Sequence, residues 1–119
     1  MKYYITTAID YINGKPHIGH SYEKIAADVL ARFHRVAGHD VFFLTGSDEH
    51  GAKIAEYAAK AGKPEQDYAD EMSVGFKNAW DALGISYDRF IRTTDEDHVA
   101  AVGELLNTIK ANGYLYEGE

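Results

Sequence analysis

The tightest constraint on the fold is the order in which two periodicities follow one another. "KYYITTA" (Lys2 to Ala8) is aromatic and β-branched and predicts a strand. From Ile18 to Ala37 the pattern becomes helical, with Ile25, Val29, Leu30, Phe33 and Val36 on one stripe that predicts the buried face. "DVFFLTG" (Asp40 to Gly46) is then a nearly unbroken apolar run, as expected of a strand covered on both faces. Two parallel neighbours need a crossover between them, and a helix supplies it, so strand–helix–strand predicts an α/β chain built on a parallel sheet.

The rest of the chain continues that grammar. Glu23 near the start of the first helix and Arg32 and Arg35 near its end suit the helix dipole, and Gly38 reads as its stop. A short helix from about Gly51 to Ala61 ends at Gly62, and Pro64 opens another. That helix carries Tyr68, Met72, Phe76, Ala79, Trp80 and Leu83 on one stripe, with Trp80 and Met72 read as core, and closes at Gly84. "YDRFIRT" (Tyr87 to Thr93) predicts a short strand. A last helix follows with Thr93 or Thr94 as N-cap and Glu96 or Asp97 placed for a capping box. Its expected buried face is Val99, Val102, Leu106 and Ile109, and Gly113 its stop.

Composition narrows the function classes. A length of 119 residues suits one domain, and a net charge of −7 gives no basic footprint for a phosphate backbone. There is no cysteine, which excludes disulfides and thiolate metal sites. No apolar run approaches the ~20 residues of a membrane helix, and "MKYYITTAIDY" has neither the apolar core of a secretory signal nor the arginines of a transit peptide. The expectation is a cytoplasmic protein with no membrane partner.

Ligands of parallel sheets bind beyond the carboxyl ends of the strands. Two segments occupy those ends, "AIDYINGKPHIGH" and "GSDEHG", and they are predicted to lie side by side. If Ile18 or Gly19 begins the helix, its free N–H groups face the crevice, and His17 and His20 project from nearly the same side. Gly19 leaves room for a flat or charged group to approach the backbone. These are the ingredients of a phosphate site without a P-loop lysine. Two blander arrangements stay open for H-x-x-H: one histidine on the surface and one as a cap, or a metal site drawing on His17, His20, Asp48 and His50. Glu49 reads as a solvated or loop-bracing carboxylate, His50 as hydrogen-bonded within its loop, and Glu23 and Lys24 as a solvated helix face. Asp10 reads as loop chemistry, and His34, His39 and His98 have no constellation around them.

"PHIGH" (Pro16 to His20), after a strand and opening a helix, resembles the HIGH signature of class I aminoacyl-tRNA synthetases. "FLTGSDEHG" (Phe43 to Gly51) resembles the G-T-D-E-H-G stretch of methionyl-tRNA synthetases, with Ser47 where threonine is usual. "YYITTAIDYING" and "ISYDRFIRTT" resemble that family too, so the likeness covers essentially the whole chain. It implies the first half of a Rossmann-like parallel nucleotide-binding fold, with residues 1–119 ending near the start of a connective insertion. It also implies part of a methionine–tRNA ligase, which joins L-methionine to ATP (with Mg²⁺) as methionyl-adenylate and then charges tRNA(Met).

By this resemblance His17 and His20 are catalytic and contact the ATP phosphates, and Gly19 lies beneath the adenine. Asp48 pairs with the methionine ammonium, Ile9 offers its backbone to the same group, and Tyr11 walls the thioether pocket. The family's K-M-S-K-S loop is absent, so the fragment is expected to be inactive alone, with zinc possible only in the missing insertion and most tRNA contacts elsewhere. An isolated half sheet is expected to be marginally stable or to oligomerise. Two alternatives remain: another nucleotidyl transferase with the HIGH signature, and a non-enzymatic module that binds ATP or methionine.

Overall fold

In chain order the elements are β1 (Lys2–Thr6), β2 (Asp10–Tyr11), α1 (Ile18–Val36), β3 (Asp40–Asp48), α2 (Ala52–Ala61), α3 (Glu65–Ala82), β4 (Arg89–Arg92) and α4 (Glu96–Ala111). This computed structural model describes residues 1–118, so Glu119, the last residue of the expected 1–119 unit, lies outside the described residues. All pairings are parallel, with β3 in the centre. Leu44 pairs with Thr6 on one side and Arg89 on the other, and Ser47 with Asp10 on one side and Arg92 on the other. Hence β2 resumes the edge that β1 leaves. From Thr6 to Asp10 is four steps, against three from Leu44 to Ser47, so the expected Lys2–Ala8 strand is broken by a one-residue bulge at Thr7–Ile9.

The glycine stops fall where the sequence places them. Gly38, Gly62, Gly84 and Gly113 all have positive φ, which other residues adopt only under strain. At Gly38 the reversal is a Schellman motif, with Gly38 N–H donating to Arg35 O and His39 N–H to His34 O, both at 3.0 Å. The same pair of bonds closes α3, from Gly84 to Asp81 and from Ile85 to Trp80.

Phe43, Ala27, Ala31, Ile54, Phe76, Trp80 and Ile85 form one buried cluster under α1 and α3. Trp80 is core, as expected, whereas Met72 is partly buried against the cluster and Leu83 is exposed. The stripe expected to be the buried face of α1 points outward: Val29 is 60% exposed and Phe33 65%. The inward face is instead Lys24, Ala27, Asp28 and Ala31. Small side chains there let the helix lie close to the sheet, and the two charged ones find partners. Asp28 accepts from Ser86 N at 2.7 Å and Arg32 Nε at 2.6 Å; burial works against its charge, but these donors hold its carboxyl below the usual range.

Other expectations of burial also change. The start of β3 is covered on one face only, since the register partners Tyr4 and Phe42 are exposed together on the other. No residue of α4 is buried, so Val99, Val102, Leu106 and Ile109 form no core here. Its N-cap is Asp95, with no side-chain cap bond, in place of Thr93 or Thr94. His34 is not isolated: it stacks on Tyr3 with centroids 3.5 Å apart and meets His39, Nδ1 to Nδ1, at 2.8 Å.

Candidate active site

At the start of α1 the histidines cap the helix and each other. His17 is the N-cap residue, and its Nδ1 accepts from Gly19 N–H at 3.1 Å. His20 Nδ1 accepts from His17 N–H at 3.2 Å, a capping box made of two imidazoles. A ring nitrogen that accepts a hydrogen bond carries no proton, so both rings hold their proton on Nε2. The capping arrangement thus does not compete with the functional one, because it fixes two N–H donors at the positive end of a helix. The rings lie 3.7 Å apart, and His20 rests edge-on against Phe76 at 5.4 Å. Burial lowers the pKa of His20, with Asp10 opposing, so its ring stays neutral further into acid. A Cβ on Gly19 would lie 3.0 Å from His17 Cε1 and displace that ring.

The two segments at the strand ends are neighbours, as predicted, through the pairs Asp10–Ser47 and Tyr11–Asp48. Adjacent residues of parallel strands project to the same face, which sets Tyr11 and Asp48 together. Tyr11 is 45% exposed, and its hydroxyl would lie 2.8 Å from a Cβ on Gly51. Asp48 is half-buried, accepts only a long 3.4 Å bond from His50 N–H, and has no cationic partner among the described residues. Ile9 is exposed on the bulge. Tyr11, Asn13, Ala52 and Lys53 line an open cleft of about 440 Å³ beside this pair.

Glu49 braces the second segment, with its side chain fully buried. It receives both nitrogens of the Arg92 fork at 2.7 Å, Ser47 Oγ at 2.6 Å and Thr94 Oγ1 at 2.6 Å. The two Glu49 bonds are the largest cause of a raised Arg92 pKa, and Asp70 adds to them. Thr93 Oγ1 accepts from Glu49 N–H at 2.9 Å and meets His50 Nδ1 at 3.0 Å, so His50 bonds to the β4–α4 junction. Both threonine hydroxyls are occupied here, which is why neither caps α4.

Two residues that the sequence does not single out lie underneath. Lys24, expected on a solvated face, is 0% exposed, and Asp10 is 5% exposed. Lys24 Nζ donates to Ala8 O at 2.9 Å, Asp10 Oδ1 at 3.0 Å and Glu23 Oε2 at 3.1 Å. Burial pushes the Asp10 carboxyl up, with the Lys24 ammonium pulling it partly back. One acid and one base in neighbouring segments was the only available signal of this pair.

The structure therefore gathers His17, Gly19 and His20 at one helix end, and Ile9, Tyr11 and Asp48 at the adjoining strand ends. It does not gather His17, His20, Asp48 and His50 as ligands: among the described residues, no three potential metal-binding side chains converge.

A family model described as "tRNA synthetases class I (M)" matches residues 3–119. The methionine–tRNA ligase of Thermotoga maritima is 52% identical over 118 residues, and that of Streptococcus pneumoniae serotype 4 is 52% identical over 117. The chain is covered to 99% and 98% in these matches, but spans only 19% and 18% of the two relatives. A structure of Mycobacterium tuberculosis methionyl-tRNA synthetase in complex with methionyl-adenylate superposes with a TM-score of 0.92 at 54% identity, covering 94% of this chain and 22% of that one. With a parallel α/β sheet and a family match that spans nearly its whole length, this chain belongs to the class I tRNA synthetases of the methionine type.

Proposed function

We propose that the chain supplies the methionine- and ATP-binding part of a methionine–tRNA ligase. The observation that carries this reading is the pairing of two kinds of group at adjoining strand and helix ends. Two imidazoles are fixed as Nε2–H donors at the N-terminus of α1, and Asp48, at the end of the central strand, is a carboxylate with no cationic partner among the described residues. In this reading Asp48 and the Ile9 backbone take the α-ammonium of L-methionine, and Tyr11 walls the cleft for its thioether. The methionine carboxylate attacks the α-phosphate of ATP and pyrophosphate leaves. His17 and His20 donate to phosphoryl oxygens as charge grows on them, over a backbone that Gly19 leaves open to the adenine.

Mg²⁺ enters with ATP as its counter-ion. The residues present do not suit zinc, since the chain has no cysteine and the described residues offer no converging ligand set. Transfer to tRNA(Met), and the cytoplasmic setting that goes with it, belong to the same proposal; among the described residues no helix is long and apolar enough to cross a membrane.

The test is methionine-dependent exchange of pyrophosphate into ATP by the full-length protein that carries this chain. His20→Ala is expected to lower turnover by about 10²–10³-fold while leaving methionine affinity unchanged. Asp48→Ala is expected to abolish methionine binding measured by calorimetry. Methionine binding that survives Asp48→Ala would overturn the assignment of the amino-acid site. Binding of ATP and methionine without any exchange would make the protein a binding module.

A further inference from the structure

We propose that the buried Lys24–Asp10 pair is a positioning device for the amino-acid end of the site, holding the Ala8–Asp10 turn and with it the Ile9 backbone. The inference rests on the methionine-binding reading above and extends it to residues with no assigned role.

The bulge creates the need. Between Thr6 and Asp10 the edge strand leaves register with β3, and after the bond from Thr7 N–H to Leu44 O the ladder resumes only at Asp10. Ile9 stands in that gap, where the sheet does not fix it. Helix α1 takes over the task with two successive side chains. Glu23 Oε1 accepts from Ala8 N–H at 2.9 Å, and Lys24 Nζ donates to Ala8 O at 2.9 Å, so both backbone polar groups of Ala8 are tied to the helix. Lys24 also grips Asp10 on the far side of Ile9. With Glu23 Oε2 as its third acceptor, the ammonium group has no hydrogen left to donate elsewhere.

The pair is poorly placed to serve stability. Both members are buried, and Asp10 Oδ2 is buried with no hydrogen-bond partner among the described residues. Such an arrangement typically stabilises a core less than apolar residues of the same volume. Its geometry is instead suited to alignment. Lys24 lies over the Trp80 ring at 5.8 Å, and one turn earlier on the same helix His20 lies against Phe76 at 5.4 Å. Phe76 and Trp80 are themselves one turn apart on α3 and in edge contact at 5.9 Å. One rigid helix, seated on one aromatic ladder, therefore carries both the phosphate-facing histidine and the clamp on the ammonium-facing loop. The two reactants must meet with sub-ångström accuracy, and a shared support fixes their separation.

The experiment uses the full-length protein carrying this chain and three variants: Lys24→Met, Asp10→Asn and the double variant. KM for methionine in pyrophosphate exchange is expected to rise about tenfold or more in all three, while KM for ATP is held. Melting temperature is expected to fall in Lys24→Met, where Asp10 loses its cation, and to recover in the double variant, where no charge is buried. The decisive result is the double variant: recovered stability with a methionine KM that stays raised supports positioning. A methionine KM that recovers along with the melting temperature, or that never moves in any variant, would overturn it. A parent protein with no methionine-dependent exchange would instead overturn the function itself, and that result is visible before any substitution is made.

Discussion

Removing the Glu49 carboxylate would leave the Arg92 guanidinium, Ser47 Oγ and Thr94 Oγ1 without their common acceptor in a buried place. Glu49→Ala is therefore expected to cost about 3–5 kcal/mol in urea unfolding. A loss confined to a few tenths would show that Asp70, which also accepts from Arg92, carries the brace by itself. Its role as a loop brace was one of two readings open in the sequence; its four donors were not legible, because Arg92 and Thr94 lie far along the chain. His20 contributes in another way. Its folded pKa is lowered by burial, so below about 6.5 the unfolded chain binds the proton more readily than the folded one. Stability then rises with pH through the window between the lowered value and the ordinary one. Melting curves taken downward from about pH 6.5 should show that slope, and His20→Asn should flatten it. Lys24 reads as solvated from the sequence because a charge on a helix face ordinarily is, and the bulge that makes a buried one useful leaves no mark there.

Among the elements, the approach of β3 to β4 is the most exacting. A Cβ on Gly46 would collide with the carbonyl oxygen of its register partner Ile91. Gly46→Ala is expected to separate β4 from the sheet and, with it, to release Arg92 and Thr93 from the Glu49 segment. Loss of the cooperative thermal transition, followed by circular dichroism, is the readout; a normal transition would show that the strands can spread. Element types and order were readable because punctuation and periodicity agreed, above all at the four glycine stops. Burial was less readable. The 3.6-residue stripe of α1 is real, but a stripe states only that something apolar belongs against it, and here the sheet takes the neighbouring sector of Lys24, Ala27, Asp28 and Ala31. The two-residue β2 and the bulge before it had no signal, since a single extra residue leaves composition and alternation almost unchanged.

Over the whole molecule, the apolar faces of α1 and α4 and the bare side of β1 and β3 remain in water. The radius of gyration is 16.9 Å, against about 13.5 Å for a compact domain of this length. Self-association of the isolated chain is the expected result, and the outer stripe of α1 is its natural seat. Val29→Glu with Phe33→Lys is expected to shift sedimentation toward monomer without lowering the melting temperature, since neither side chain is in the core. Unchanged association would move the seat to α4 or to the Tyr4–Phe42 face. The same uncovered faces also bear on calorimetry. Heat-capacity change on unfolding follows the apolar surface newly wetted, and here much of that surface is already wet in the native state. The chain as a monomer should therefore fall below the roughly 12–15 cal/mol/K per residue of ordinary domains. Its stability would then change only gently with temperature, with a broad, shallow melt and little tendency to cold denaturation.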